Sequence, residues 1–313
     1  MAPLKSAKDI LVHSILGRLR SYPVRVTETG ARKPVIFGLQ GPQGIGKTWI
    51  SRAVKEELER VHDIPTIVLS LDDLYLARRE QEKLDGCRNR LLRGRGLPGT
   101  HDLDLAEQLF DSLSTINDTR EIRLPVYDKS AHNGLGDRAG FSTLVIPSDR
   151  VLQLVIFEGW MVGFVPLDPA QLRNTYHHLL QLDPASTAFT TKFSLDELLE
   201  INRNLSAYVQ RIWRRIDLLI NLVPQDLNSI WRWRIQQEHE MKAKNGGIGM
   251  SDEEVEQFIY RYMPCYELYG KPADEAGGDG MIQSCLKVVM DEERRVVHVH
   301  PNTHATDSQS AET

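Results

Sequence analysis

Gly41-Pro42-Gln43-Gly44-Ile45-Gly46-Lys47-Thr48 stands directly after the apolar run Pro34-Val35-Ile36-Phe37-Gly38-Leu39. The octet fits the pattern of glycine, four residues, then Gly-Lys-Ser/Thr, the spacing of a loop that wraps phosphate. Glycines at 41, 44 and 46 can take backbone angles closed to other residues, so successive N–H groups can turn inward onto an anion. Pro42, Gln43 and Ile45 fill out the cradle, and Thr48 opens a helix whose positive end faces the same anion. In such a loop Lys47 reaches the β- and γ-phosphates and the Thr48 hydroxyl holds Mg²⁺. The strand-like run before the octet and the helical spacing from Trp49-Ile50 to Leu58 after it are the context this mechanism requires. Nucleotide binding follows, without yet separating a kinase from an ATPase or a GTPase.

The chain has 313 residues, with 38 Lys and Arg against 43 Asp and Glu and a formal net charge of −5. That balance offers no basic field to a nucleic acid. No apolar run approaches the ~20 residues of a membrane span. Cys87, Cys265 and Cys285 lie far apart without metal-ligand spacing, which suits a reducing compartment, the cytoplasm or the nucleus. Leu11, Ile15 and Leu19 share a helical face among Lys5, Lys8, Arg18 and Arg20. Asp9 and the scarcity of serine there favour a helix packed on the domain over a mitochondrial leader. Oligomeric state has no signature in the sequence.

Helices are expected over about 5–20, 47–62, 103–116, 195–212, 228–244 and 252–269. Buried strands are expected over 34–40, 66–71, 151–157 and 216–222. Residues 121–128 read as a strand with a polar loop after it to about 143, and 286–290 and 296–299 as closing strands. Ser194 with Glu197, and Ser251 with Glu254, stand in capping-box register. Alternation of this kind predicts an α/β fold of the P-loop NTPase type, three layers α/β/α around a mostly parallel sheet. The reading is one domain over 1–300, a helical lid at about 225–270 and a disordered polar tail at 301–313.

Ligands of such sheets lie beyond the carboxyl ends of the strands. Asp72 and Asp73 follow one buried strand, and Glu158 follows another. Phosphoryl transfer needs a carboxylate near the acceptor hydroxyl and another that steadies Mg²⁺. Asp72, with Asp73 beside it, suits the first role and Glu158 the second. Capping a helix near Tyr75 is the alternative use of the aspartates. No Asn-Lys-x-Asp guanine-reading motif occurs, and the strand before Glu158 ends in Glu-Gly rather than the Asp-Glu of motor ATPases. Transfer from ATP to a small acceptor is the better fit. A regulator that binds ATP and transfers nothing is the non-enzymatic rival, and the intact Lys47, Asp72 and Glu158 speak against it.

The phosphate loop, Ser70-Leu71-Asp72-Asp73-Leu74-Tyr75 and the strand into Glu158-Gly159-Trp160 resemble P-loop kinases of the phosphoribulokinase, uridine kinase and pantothenate kinase type. More specific are Arg95-Gly96-Leu97-Pro98-Gly99-Thr100-His101-Asp102, Pro125-Val126-Tyr127-Asp128-Lys129-Ser130-Ala131 and Gly136-Asp137-Arg138. With Phe157 to Phe164, Trp233-Arg234-Ile235-Gln236 and Gly249 to Val255 they are similar to the D-glycerate 3-kinase family of plants and to its fungal relatives described as ATP-dependent kinases. The likeness runs from about residue 34 to 270. It implies ATP·Mg²⁺-dependent phosphorylation of the 3-hydroxyl of D-glycerate, with another small hydroxylated acceptor (a nucleoside, a pantothenate-like alcohol or a sugar acid) as the alternative. It places Asp72 as general base and makes Tyr75, Arg95, His101, Asp102, Tyr127, Lys129 and Arg138 candidates for the acceptor pocket. A carboxylate-bearing acceptor needs fixed cations and hydroxyl donors, which agrees in kind. Arg232 and Arg234, two residues apart, point about 200° apart around a helix and cannot both face the phosphates. The family pattern Trp-Arg-x-Gln falls on Arg234, which is therefore the expected lid arginine, while Trp231 and Trp233 anchor the helix on the core. Unlike in the plant enzymes, no Ser-rich transit segment is expected.

Overall fold

The structure, a computed structural model, describes residues 6–182, 188–244, 246–247, 249–270 and 283–301. The chain runs through α1 (Ala7–Ser21), β1 (Val35–Gln40), α2 (Lys47–His62), β2 (Thr66–Ser70), α3 (Arg78–Asp85), α4 (Leu103–Ser114) and α5 (Ile116–Thr119). Then come β3 (Glu121–Asp128), β4 (Asp137–Val145), β5 (Leu154–Gly159), α6 (Pro169–Gln181), α7 (Leu195–Arg211) and β6 (Leu218–Pro224). The last third holds α8 (Ser229–Lys244), α9 (Asp252–Tyr260), α10 (Met263–Tyr269), β7 (Gln283–Met290) and β8 (Val296–Pro301).

Six strands form one sheet in the order β2-β5-β1-β6-β7-β8. Its first five strands are parallel and β8 lies antiparallel on β7. Both faces are covered, so the strands are continuous apolar runs whose alternate side chains enter two separate cores. Val35, Phe37 and Leu39 of β1 join Leu154 and Ile156 of β5 beneath α1 and α2. On the opposite face Ile36, Val155 and Phe157 pack with Phe110 of α4, Leu198 of α7 and Tyr266 of α10. The mostly parallel sheet with helices on both sides is the architecture that the sequence predicts.

Several boundaries differ from the sequence reading, each for a physical reason. The polar stretch after β3 is not all loop: Asp137–Val145 is a strand, paired antiparallel with β3 and separate from the main sheet. Much of that strand is exposed, so it lacks the apolar run that betrays a buried strand. Helix α6 has no counterpart in the sequence reading, because Leu172 is its one buried residue and leaves little periodicity. Its start was nonetheless marked: Asp168 accepts the N–H groups of Ala170 and Gln171, with Pro169 at the first helical position. The helix expected over 252–269 is two, α9 and α10, divided at Arg261-Tyr262 just ahead of Pro264, which cannot donate a helical hydrogen bond. Strand β5 begins at Leu154, not 151, and carries Glu158-Gly159 inside it. The expected disordered tail, residues 302–313 in particular, lies outside the described residues.

Candidate active site

The loop between β1 and α2 is built as its spacing requires. Gly44 and Gly46 take left-handed φ values of 78° and 102°, open to glycine at little cost. Gly41 does not: it is needed for closeness, since a Cβ there would meet Ile45 Cγ2 at 3.0 Å and the Leu222 carbonyl at 3.3 Å. Among the described residues no side chain caps the first turn of α2, so its leading N–H groups remain available to an anion. Ile45 is fully buried and roots the loop in the core. From α10, the Tyr266 hydroxyl accepts the Gln43 N–H at 3.2 Å.

Lys47 Nζ donates to the Pro42 carbonyl at 3.1 Å, and Thr48 Oγ1 donates to Glu158 Oε1 at 3.1 Å. Glu158 is buried (5% exposed) at the end of β5. Burial raises its carboxyl pKa against the pull of Lys47, while burial lowers that of Lys47 against the pull of Glu158 and Asp72. Each needs the other's charge to stay ionised. A hydroxyl and a carboxylate side by side are the hard oxygen donors that suit Mg²⁺.

Strand register pairs Ser70 of β2 with Glu158 of β5, which brings the residues just after Ser70 to the same rim. Ser70 Oγ accepts the Asp72 N–H at 3.2 Å and caps a 3₁₀ turn over Leu71–Leu74. The capping work considered for Asp72 thus falls to Ser70, and the Asp72 carboxylate is left for other partners. Tyr75 Oη donates to its Oδ1 at 2.8 Å and Lys129 Nζ to its Oδ2 at 2.5 Å. Burial opposes ionisation of Asp72, but the Lys129 ammonium and Tyr75 hydroxyl outweigh it and hold the carboxyl down at about 2. Around this group His101 lies tilted on the Tyr75 ring at 4.6 Å, and Tyr127 meets that ring edge-on at 5.2 Å.

The other acceptor-pocket candidates have committed polar atoms. Arg95 Nη1 donates to the carbonyls of Gly134 and Leu135 at 2.9 and 2.5 Å, pinning the β3–β4 turn. Arg138 Nη2 donates to the Tyr75 carbonyl at 3.1 Å and to Asp102 Oδ2 at 3.0 Å, while Asp102 Oδ1 caps α4 through the Leu105 N–H. Asp73 accepts the Tyr127 N–H at 3.4 Å. These four hold the frame on which Asp72, Tyr75, His101, Tyr127 and Lys129 converge.

Helix α8 passes directly over the loop: a Cβ on Gly44 would lie 2.5 Å from Trp233 Cβ. Arg232 points outward, 68% exposed and paired with Glu292. Arg234 turns inward, 2.7 Å from the fully buried Glu238 and 5.5 Å over the Phe258 ring. Arg294 had no signal in the sequence, where it reads as one more charge in Asp291-Glu292-Glu293-Arg294-Arg295. From the β7–β8 turn its Nε donates to the Gly44 carbonyl at 2.8 Å and its Nη1 to Gln236 at 2.9 Å, with the guanidinium 5.5 Å over Trp233. It clamps the phosphate loop to α8. Arg294→Ala is expected to raise the KM for ATP about tenfold, the worth of a charge-assisted hydrogen bond. An ATP titration of turnover checks this; an unchanged KM would mean that the turn merely packs there.

No protein-family model matches the chain. A kinase of Schizosaccharomyces pombe, described as the uncharacterized kinase mug58, is 37% identical over 94% of this chain and 100% of its own length. The chloroplastic D-glycerate 3-kinase of Arabidopsis thaliana is 34% identical over 84% of this chain and 54% of that protein. The solved D-glycerate 3-kinase of Cryptococcus neoformans matches with a TM-score of 0.85 and 36% identity, covering 95% of this chain and 100% of that one. With a phosphate loop, a strand-end glutamate and a similarity that spans nearly the whole chain, the protein belongs to the D-glycerate 3-kinase family.

Proposed function

We propose that this chain transfers the γ-phosphoryl group of ATP to the 3-hydroxyl of D-glycerate. The observation that carries the reading is the Asp72 carboxylate, bracketed by Lys129 and Tyr75 at the rim where Thr48 meets Glu158. The names of the Arabidopsis and Cryptococcus relatives supply the acceptor. In this reading the loop at 41–48 binds the triphosphate through its N–H groups and Lys47. Thr48 and Glu158 would hold Mg²⁺, which when bound neutralises charge on the β- and γ-phosphate oxygens. The hydroxyl oxygen forms its bond to the γ-phosphorus as the bridging bond to ADP breaks, and the hydroxyl proton passes to Asp72. Lys129 supplies positive charge to the acceptor side, and the α8–α10 segment acts as a lid whose Arg234, held by Glu238 in this structure, would swing to the transferred group on closure. No covalent enzyme intermediate is required. No helix among the described residues is long and apolar enough to cross a membrane. The free thiols Cys87 and Cys265 suit the reducing cytoplasm.

The test is ADP release from ATP·Mg²⁺ with and without D-glycerate, in a coupled assay. Release that depends on D-glycerate is the expected result. Equal release in both arms, with stimulation by another hydroxylated compound from a panel, would reassign the acceptor.

A further inference from the structure

His101 is a buried polar group that the fold leaves half-used. It is 4% exposed, and its ring lies edge-on to Tyr208 at 5.6 Å as well as tilted on Tyr75. Nδ1 is 2.8 Å from the Tyr208 hydroxyl. That hydroxyl oxygen already accepts the Gly99 N–H at 3.0 Å. A phenol carries one proton and must place it somewhere. The Gly99 N–H can only donate, so the partner at hand for that proton is His101 Nδ1. The tautomer follows: Nδ1 accepts from Tyr208, and the imidazole proton sits on Nε2. Nε2 is fully buried and has no hydrogen-bond partner among the described residues. Burial pushes the imidazole pKa down to about 3 against the pull of the Asp72 charge, which reaches it. The group is therefore a neutral donor beside the proposed base. A buried donor left without an acceptor costs about 1–3 kcal/mol, and such an orphan at a reaction site calls for a ligand that completes it.

We propose that His101 Nε2–H binds the phosphoryl acceptor, donating an uncharged hydrogen bond to one of its oxygens, a carboxylate or hydroxyl, next to Asp72. This rests on the reading of Asp72 as the group that faces the acceptor, and it deepens it. Being neutral, the donor does not compete with Lys129 for Asp72. It selects an oxygen at that point of the acceptor, because an ammonium or methyl group there would leave the N–H unpaired. Tyr208 is the positioning residue that fixes the tautomer.

His101→Phe keeps a ring against Tyr75 and removes the donor, whereas His101→Gln returns an amide N–H near the place of Nε2. With the folded variants, His101→Phe should raise the KM for D-glycerate about 10- to 100-fold and leave the KM for ATP within about twofold. His101→Gln should recover the acceptor KM to within about fivefold of wild type. A merely structural histidine would weaken both substrates together and would not be rescued by glutamine. An unchanged D-glycerate KM in His101→Phe overturns the proposal. Nitrogen NMR of isotope-labelled histidine in the wild-type protein is independent of turnover. A neutral Nε2–H tautomer is expected down to about pH 5, and an Nδ1–H tautomer overturns the proposal. Should the wild-type protein release no ADP with D-glycerate, the acceptor assignment fails, and the His101 tautomer judges this inference separately.

Discussion

Lys47→Ala is expected to lower kcat by roughly 10²- to 10³-fold, the scale of removing one fixed group that stabilises transition-state charge. The ammonium is anchored only lightly, by the Pro42 carbonyl at 3.1 Å, so it can swing to phosphate without breaking a strong ion pair. Its removal also takes away the positive charge that helps the buried Glu158 stay ionised. The KM for ATP should rise as well, because part of that charge already acts in the ground state. The fold should survive: taking out a desolvated cation removes a cost, and the loop keeps Ile45 in the core and Arg294 on Gly44. Steady-state ADP release, with a melting curve to show that the variant is folded, decides the matter. A kcat within about tenfold of wild type would remove Lys47 from the phosphate site.

The second large effect is expected at Asp72. Asp72→Asn preserves shape and lets the Tyr75 hydroxyl still donate to the amide oxygen, yet it removes the proton acceptor. It also leaves the Lys129 ammonium without its partner at 2.5 Å. A loss in kcat of about 10²- to 10⁴-fold is expected, the range of positioned general bases, while ATP binding changes by less than about twofold because the loop at 41–48 is untouched. A carboxyl held at about 2 is a weak base, which agrees with phosphoryl transfer through a loose transition state, where the acceptor proton leaves late. The same depressed value sets a pH signature. Asp72 stays ionised throughout the range above about pH 4, so the ratio of wild-type to variant rate should be flat there. A ratio that climbs steeply between about pH 5 and 7 would mean that Asp72 itself titrates there and would overturn the depressed value.

Legibility followed the physics of each element. Strands buried on both faces announce themselves, so β1, β2, β5 and β6 could be read from apolar runs within a few residues. The exposed strand β4 and the lightly packed α6 could not, because neither sequence carries an apolar period. Within the site, the phosphate loop was legible because backbone geometry demands glycine at set spacings, and Glu158 because a carboxylate inside a buried strand has few other reasons to exist. The pocket residues divided along lines that no spacing shows. Arg95, Asp102 and Arg138 look as polar in sequence as Lys129, but Arg95 holds the backbone of the β3–β4 turn, Asp102 caps α4 and Arg138 joins Asp102 to the Tyr75 carbonyl.

By itself, then, the chain of letters determined the layered α/β architecture, the triphosphate cradle and the strand-end carboxylates, since each rests on local rules of periodicity, glycine freedom and burial. Only the tertiary structure decided which polar side chains keep unused valences. Lys129 reaches Asp72 across 57 residues of sequence, Arg294 reaches Gly44 across 250, and the Tyr208 hydroxyl meets His101 Nδ1 across 107. Hydrogen bonds between side chains so far apart depend on how the layers close, and no local pattern encodes that closure.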